Sequence, residues 1–162
     1  MHEFFMRSAL QQAERALGED EVPVGAVIVR NERIIAAAHN QREQLRDPTA
    51  HAEMIAITQA AEAVGGWRLL ECTLYVTLEP CPMCAGALVL SRMGKIYYGA
   101  DDPNAGACGT VFDIVQEEKL LHRVPVVKGV LGEESALLLK GFFQARRKEA
   151  RKKKDPPSEH PM

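Results

Sequence analysis

Hydrophobic and polar residues recur along this chain in two rhythms, and the changes between them mark out its elements. Residues 3–17 place Phe4, Phe5, Ala9, Leu10, Ala13, Ala16 and Leu17 near helical spacing, and Gly18 supplies a stop. Val24 to Val29 and Arg33 to Ala38 are rich in aliphatic residues on either side of Arg30-Asn31-Glu32, which reads as a β-hairpin. Asn40 to Ala50 is polar, contains Pro48 and reads as a loop. A helix is expected from about Thr49 to Val64, ended by Gly65-Gly66. Thr73 to Leu78 has the character of a buried strand, and Pro80 opens a second short helix to about Arg92, with Gly94 beyond it. Lys95 to Gly99 and Val124 to Leu131 read as further strands, and Glu133 to about Lys152 as a terminal helix.

This order implies an α/β fold, a sheet of about five strands covered by helices. Strands separated by helices are expected to be mostly parallel, apart from the opening hairpin. The pattern contains no internal repeat and no linker before Lys154, so residues 1–154 read as one domain. Asp155 to Met162 holds three prolines and reads as a disordered tail.

Composition narrows the class. At 162 residues and 46% hydrophobic content, the chain is long enough to bury a core without disulfides and fits a soluble globular protein. No apolar run approaches the roughly 20 residues that span a bilayer. Met1-His2-Glu3-Phe4-Phe5 does not resemble a secretory signal, so the cytoplasm is the expected location. In that setting the Cys-x-x-Cys among Cys72, Cys81, Cys84 and Cys108 reads as metal-binding or redox-active. The net charge of -2 is uneven: Phe142 to Lys154 carries a formal +6, leaving -8 elsewhere. A basic end on an acidic body suits a polyanion such as nucleic acid, and equally a solvated helix end.

The chemistry is concentrated in His51-Ala52-Glu53 and, 28 residues after Glu53, Cys81-Pro82-Met83-Cys84. His51, Cys81 and Cys84 are three zinc ligands, and three is the number that leaves a position open for water. In mid-helix, positions i and i+2 point roughly 200° apart, so His51 and Glu53 can share one centre only near a helix N-terminus. Asp47 or Thr49 is the expected N-cap. Cys81 and Cys84, at i and i+3, lie on one face of a turn. Two helix N-termini aimed at one point favour thiolates and an activated water. Glu53 beside them is suited to proton transfer. The alternatives are a redox Cys-x-x-Cys, or a closed structural site completed by Cys72 or Cys108. Cys72 reads more simply as a buried small residue and Cys108 as a loop thiol. His2, His39, His122 and His160 read as surface or satisfied histidines.

His-x-Glu followed by Pro-Cys-x-x-Cys is the known signature of the zinc nucleobase deaminases. The flanks carry the likeness further: Glu21-Val22-Pro23-Val24-Gly25-Ala26-Val27, His39-Asn40, Asp47 to Glu53, Thr73 to Gly86, Tyr98-Gly99-Ala100, Gly132-Glu133-Glu134, and Phe142-Phe143 with Arg146-Arg147. Collinear from Glu3 to about Lys154, the chain resembles the bacterial tRNA-specific adenosine deaminases. That resemblance implies a cytidine-deaminase-like three-layer α/β/α fold with a mixed sheet, a homodimer, and one Zn²⁺ per subunit on His51, Cys81 and Cys84. It implies conversion of adenosine to inosine at the wobble position of tRNA, with the anticodon stem-loop as partner. Glu53 would carry a proton from water to N1 of adenine and later to the departing ammonia. Ala52 would offer its N–H to the developing oxygen, and Asn40 would hydrogen-bond the base. Val22, Pro23 and Val24 would wall the flipped base, and Asp102 would accept from a 2′-OH. Phe142 or Phe143 would stack on a base, the other packing inward, while Arg146 and Arg147 meet phosphates. Two other functions share parts of the pattern: a guanine, cytosine or nucleoside deaminase, and a noncatalytic zinc module that binds RNA.

Overall fold

The computed structural model describes residues 1–154; the expected tail, 155–162, lies outside the described residues. Ten elements follow in order: α1 His2–Gly18, β1 Gly25–Arg30, β2 Arg33–His39, α2 Arg42–Leu45, α3 Ala52–Val64, β3 Cys72–Leu78, α4 Pro82–Leu90, β4 Lys95–Ala100, β5 Val126–Val127 and α5 Gly132–Lys154. The five strands form one sheet in the order β2-β1-β3-β4-β5. Alternation along the strands divides the core in two. Ala26, Ile28, Leu74, Val76, Ile96 and Tyr98 pack with α3 and α4. Val27, Val29, Tyr75 and Tyr97 pack with Phe5, Met6 and Ala9 of α1. Tyr75 and Tyr97 are cross-strand partners whose rings stack at 4.9 Å. Helix α5 lies beside α1 on that second face, where Gly99 lets Ser135 approach β4. The result is the three-layer α/β/α arrangement with a mixed sheet.

The strand directions depart from expectation in one respect. β3–β4 and β4–β5 are parallel, but β1 pairs with β3 antiparallel. β2 and β3 do run in the same direction, as a crossover through α3 requires, yet the hairpin folds back so that β1 fills the place between them. The consequence is functional. The C-terminal ends of β2, β3 and β4 and the entry to β1 all lie at one edge of the sheet.

Other boundaries shift for local reasons. The 40–50 loop contains the short helix α2, because the Glu21 carboxylate accepts the N–H groups of Glu43 and Gln44 at 2.9 and 3.1 Å. Arg46, left-handed at φ 50°, ends it. The 124–131 strand shrinks to two residues: Pro125 has no N–H to give a ladder, and Gly129 turns the chain at φ 85°. α3 starts at Ala52 with His51 as N-cap, in place of Asp47 or Thr49. Asp47 instead accepts the Thr49 N–H and hydroxyl. α4 starts at Pro82 with Cys81 as N-cap, so Pro82, and not Pro80, is its first-turn proline.

Gly25 is where α1 and the sheet come closest, since a Cβ there would overlap the Ala9 carbonyl oxygen and crowd the Ala13 nitrogen. Both obstacles are backbone, which cannot rotate away. Gly25→Ala is therefore expected to destabilise the fold by about 2–3 kcal/mol, measured as a lowered urea midpoint. An unchanged midpoint would show that α1 can slide.

Candidate active site

Both halves of the metal motif sit at helix N-caps, and that is what makes the spacing work. His51 (φ -76°, ψ 152°) and Cys81 (φ -72°, ψ 173°) are each extended residues at the head of a helix, and neither side chain caps its own helix. Each is therefore free to project past the helix end. Cys84, in the first turn of α4, completes the group. Cys81 Sγ and Cys84 Sγ each lie 3.6 Å from His51 Nδ1, and the three ligand atoms lie within 4.8 Å of one another. A tetrahedral ion with bonds of about 2.3 Å to sulfur and about 2.0–2.1 Å to nitrogen puts sulfur and nitrogen about 3.6 Å apart. The donor set and spacing thus fit zinc. Neither Cys72 nor Cys108 belongs to this group among the described residues, which leaves three protein ligands and not four.

The electrostatics favour anionic sulfur and a protonatable carboxyl. The Cys81 thiol is drawn down to about 4, first by a hydrogen bond from Cys84 and also by one to His51. Cys84 is pushed up by that same bond with Cys81 and by burial. A divalent cation displaces such a shared proton and ionises both sulfurs. His51 is raised, chiefly through its bond to Cys81. Glu53, only 4% exposed, is raised chiefly by burial. A carboxyl kept out of water beside a metal group is poised to take and return a proton.

Asn40, just past the end of β2, is buried, and its Oδ1 accepts the Ala52 N–H at 2.7 Å. The Ala52 N–H, expected to meet the developing oxygen, is thus bonded to Asn40 in this structure. The bond also fixes the amide's orientation, leaving the Asn40 NH₂ as the group free to donate. Val22, Asn40, Phe142, Phe143 and Arg146 line one cleft of about 300 Å³, together with Asp20, Glu21, Arg42 and Glu43. Pro23 and Val24 are buried, and Val24 sits in the core, so Val22 alone of those three reaches this cleft.

Phe142 packs inward while Phe143 stays 45% exposed, the two rings meeting edge to face at 5.3 Å. Arg146 lies over the Phe142 ring at 4.8 Å and donates to the Asp20 carbonyl at 2.6 Å. It therefore anchors α5 to the cleft as well as charging it, whereas Arg147 is exposed and outside the cleft. Asp102 is half-buried, and its Oδ1 accepts the N–H groups of Asn104 and Ala105. Cys108, expected as a loop thiol, is buried in the core that also holds Ala52 and Ala85; burial and the carboxylates of Glu79 and Glu53 push it up. His39 is satisfied by Gln12 and Glu19, and His122 by the Met93 carbonyl. The roles of two quoted residues, Glu21 and Glu79, buried carboxylates that organise loops, escaped the sequence reading, as did Arg42 on the cleft wall. The contacts of the two carboxylates cross 22 to 31 residues, and no local spacing marks them.

An α/β/α sheet with a His/Cys/Cys metal group and a buried Glu at one edge defines a hydrolytic deaminase of the cytidine-deaminase-like class. The model of the MafB19-like deaminase family matches residues 1–147. A tRNA-specific adenosine deaminase of Bacillus subtilis (strain 168) is 52% identical over 146 residues, covering 90% of this chain and 91% of that protein. Another from Aquifex aeolicus (strain VF5) is 49% identical over 142 residues, covering 88% and 93%. A solved structure from work on A-to-I editing by tRNA deaminases at the wobble position superposes with TM-score 0.81 at 44% identity, covering 84% of this chain and 99% of that one. A guanine deaminase from Bacillus subtilis superposes with TM-score 0.61 at 34% identity, covering 91% and 94%. The chain belongs to the MafB19-like deaminases and, among them, to the tRNA-specific adenosine deaminases.

Proposed function

We propose that this protein hydrolytically deaminates adenosine to inosine at the wobble position (34) of tRNA, as a cytoplasmic zinc enzyme. The observation that carries this reading is the link through Asn40, which bonds the Ala52 N–H between His51 and Glu53 and also lines the cleft walled by Phe143 and Arg146. A free base needs no such extension, whereas a nucleotide chain meets both stacking and phosphate-binding groups there. An anticodon loop presents its bases unpaired, so placing one in the site costs little.

His51 Nδ1, Cys81 Sγ and Cys84 Sγ would hold the zinc, which when bound supplies a water activated near neutral pH. Everything else falls to the protein. As the water oxygen adds to C6 of adenine, Glu53 accepts its proton and delivers it to N1. Glu53 then takes the proton of the new C6 hydroxyl and passes it to the amine as the C6–N6 bond breaks and the C6 oxygen becomes a carbonyl; adenosine and water become inosine and ammonia. Asn40, its oxygen held by Ala52, donates from its NH₂ to a ring acceptor such as N7 and fixes the rotation of the base. Asp102 faces the sugar, and Arg147 with the basic residues after it meets phosphates. A homodimer with one zinc per subunit is part of the same reading. Among the described residues no helix is long and apolar enough to cross a membrane.

The reading is tested by offering an anticodon stem-loop with adenosine at position 34 alongside free guanine and cytosine. Inosine in the RNA is expected. Ammonia from guanine or cytosine alone would assign the small-molecule reaction, and tight RNA binding with no inosine a noncatalytic module. Asn40→Asp isolates the base contact, because it keeps an oxygen for the Ala52 N–H but removes the NH₂ donor. It is expected to lower kcat/KM by about 10–100-fold, read in steady-state kinetics. Wild-type kinetics would remove Asn40 from base recognition.

A further inference from the structure

Glu79 is 1% exposed and has no cationic partner among the described residues. Its two oxygens instead gather four donors from a single loop. Oε1 accepts the Asp102 N–H at 3.1 Å and the Thr110 hydroxyl at 2.5 Å. Oε2 accepts the N–H groups of Cys108 and Thr110 at 3.0 and 3.1 Å. A carboxylate has room for about four such bonds, so its acceptor capacity is filled. The loop also closes tightly over it: any Cβ at Gly106 would overlap the Glu79 carboxyl group. On the other side, Glu79 is tied into the active-site turn, its own N–H bonding the Ala100 carbonyl and Pro80 accepting from Ala107.

The loop's other bonds are mostly internal: Asp102 accepts from Asn104, Ala105 and Gly106, and Gly106 from Val111 and Phe112. Between β4 and β5 the described chain has one isolated bridge, Cys108 with Asp113. Yet this loop begins with Asp102 and sends Ala107 and Cys108 into the core beside Ala52 and Ala85, against the helices that carry the metal group. We propose that Glu79 is a positioning residue for the substrate: by binding both ends of the 102–110 loop it holds Asp102 in the orientation that meets the nucleotide. The inference rests on the tRNA deaminase reading for what Asp102 contacts. Its chemistry is specific to a carboxylate. A glutamine of the same shape would turn an NH₂ towards N–H donors and lose acceptors for two of them.

The test compares wild type, Glu79→Gln, Asp102→Ala and the double variant on the position-34 stem-loop, with zinc measured in each. Wild-type conversion establishes the underlying reading; its failure would be the failure of that reading and not of the role given to Glu79. Glu79→Gln is expected to retain one zinc per chain, raise KM about tenfold or more, and change kcat less than about threefold. In the double variant the two effects should not multiply, because loss of Asp102 removes what Glu79 positions. Loss of zinc, a fall in kcat at unchanged KM, or fully multiplicative effects would each overturn the proposal. Should Glu79→Gln not fold, Thr110→Val removes a single donor. It is expected to raise KM about threefold, again without multiplying the Asp102→Ala effect; wild-type KM there would count equally against the proposal.

Discussion

Glu53→Gln is expected to bind zinc and RNA as the wild type does and to lose about 10²–10⁴-fold in kcat. Glutamine preserves the size of the side chain but can neither take a proton from water nor return one to a leaving amine. The position of Glu53 makes the loss specific. It lies in the first turn of α3, two residues after the ligand His51, and is raised by burial. Burial removes the alternative route through bulk water, so no exposed base can substitute. Steady-state kinetics on the stem-loop, with zinc content measured on the same preparation, checks this. A variant with normal kcat would assign Glu53 a purely structural role, and one lacking zinc would make it a supporter of the metal site.

Removing the metal should be at least as severe. Chelation, or Cys81→Ser, is expected to reduce activity by more than about 10³-fold, and added Zn²⁺ should restore the chelated wild type but not the variant. Stability should follow, because the ion ties the heads of α3 and α4 together. A ligand that binds only the folded state at 1,000 times its Kd contributes about 4 kcal/mol. The chelated protein should therefore melt several degrees lower, with the shift reversed by zinc. Undiminished deamination after complete chelation would contradict the metal assignment outright.

His51 with Glu53, and Cys81 with Cys84, were legible as pairs because helix-end geometry decides how side chains two or three positions apart can share a centre; that the two pairs meet across 30 residues rested on the motif as a whole. The hairpin, the parallel β3–β4 pair and the closing helix were legible for similar reasons of local pattern. The antiparallel β1–β3 pair was not, since hydrophobic alternation fixes which face of a strand is buried and not which strand lies beside it. The helix starts were misplaced by one to three residues: His51 and Cys81, neither a usual N-cap, take that position because the metal group is assembled there. The commitment of the Ala52 N–H to Asn40, and the loops held by Glu21 and Glu79, arise from single long-range bonds that leave no periodic trace. Phe142 and Phe143 were correctly divided into an inward and an outward ring, because helical geometry does not let adjacent residues share a face.

The most direct measurement is to incubate the zinc-loaded protein with a mixed tRNA pool and map inosine by position. Inosine confined to position 34 of adenosine-34 tRNAs, formed by the wild type and absent with Glu53→Gln, is the expected result. An unmodified pool, or inosine formed equally by both proteins, would contradict the assignment.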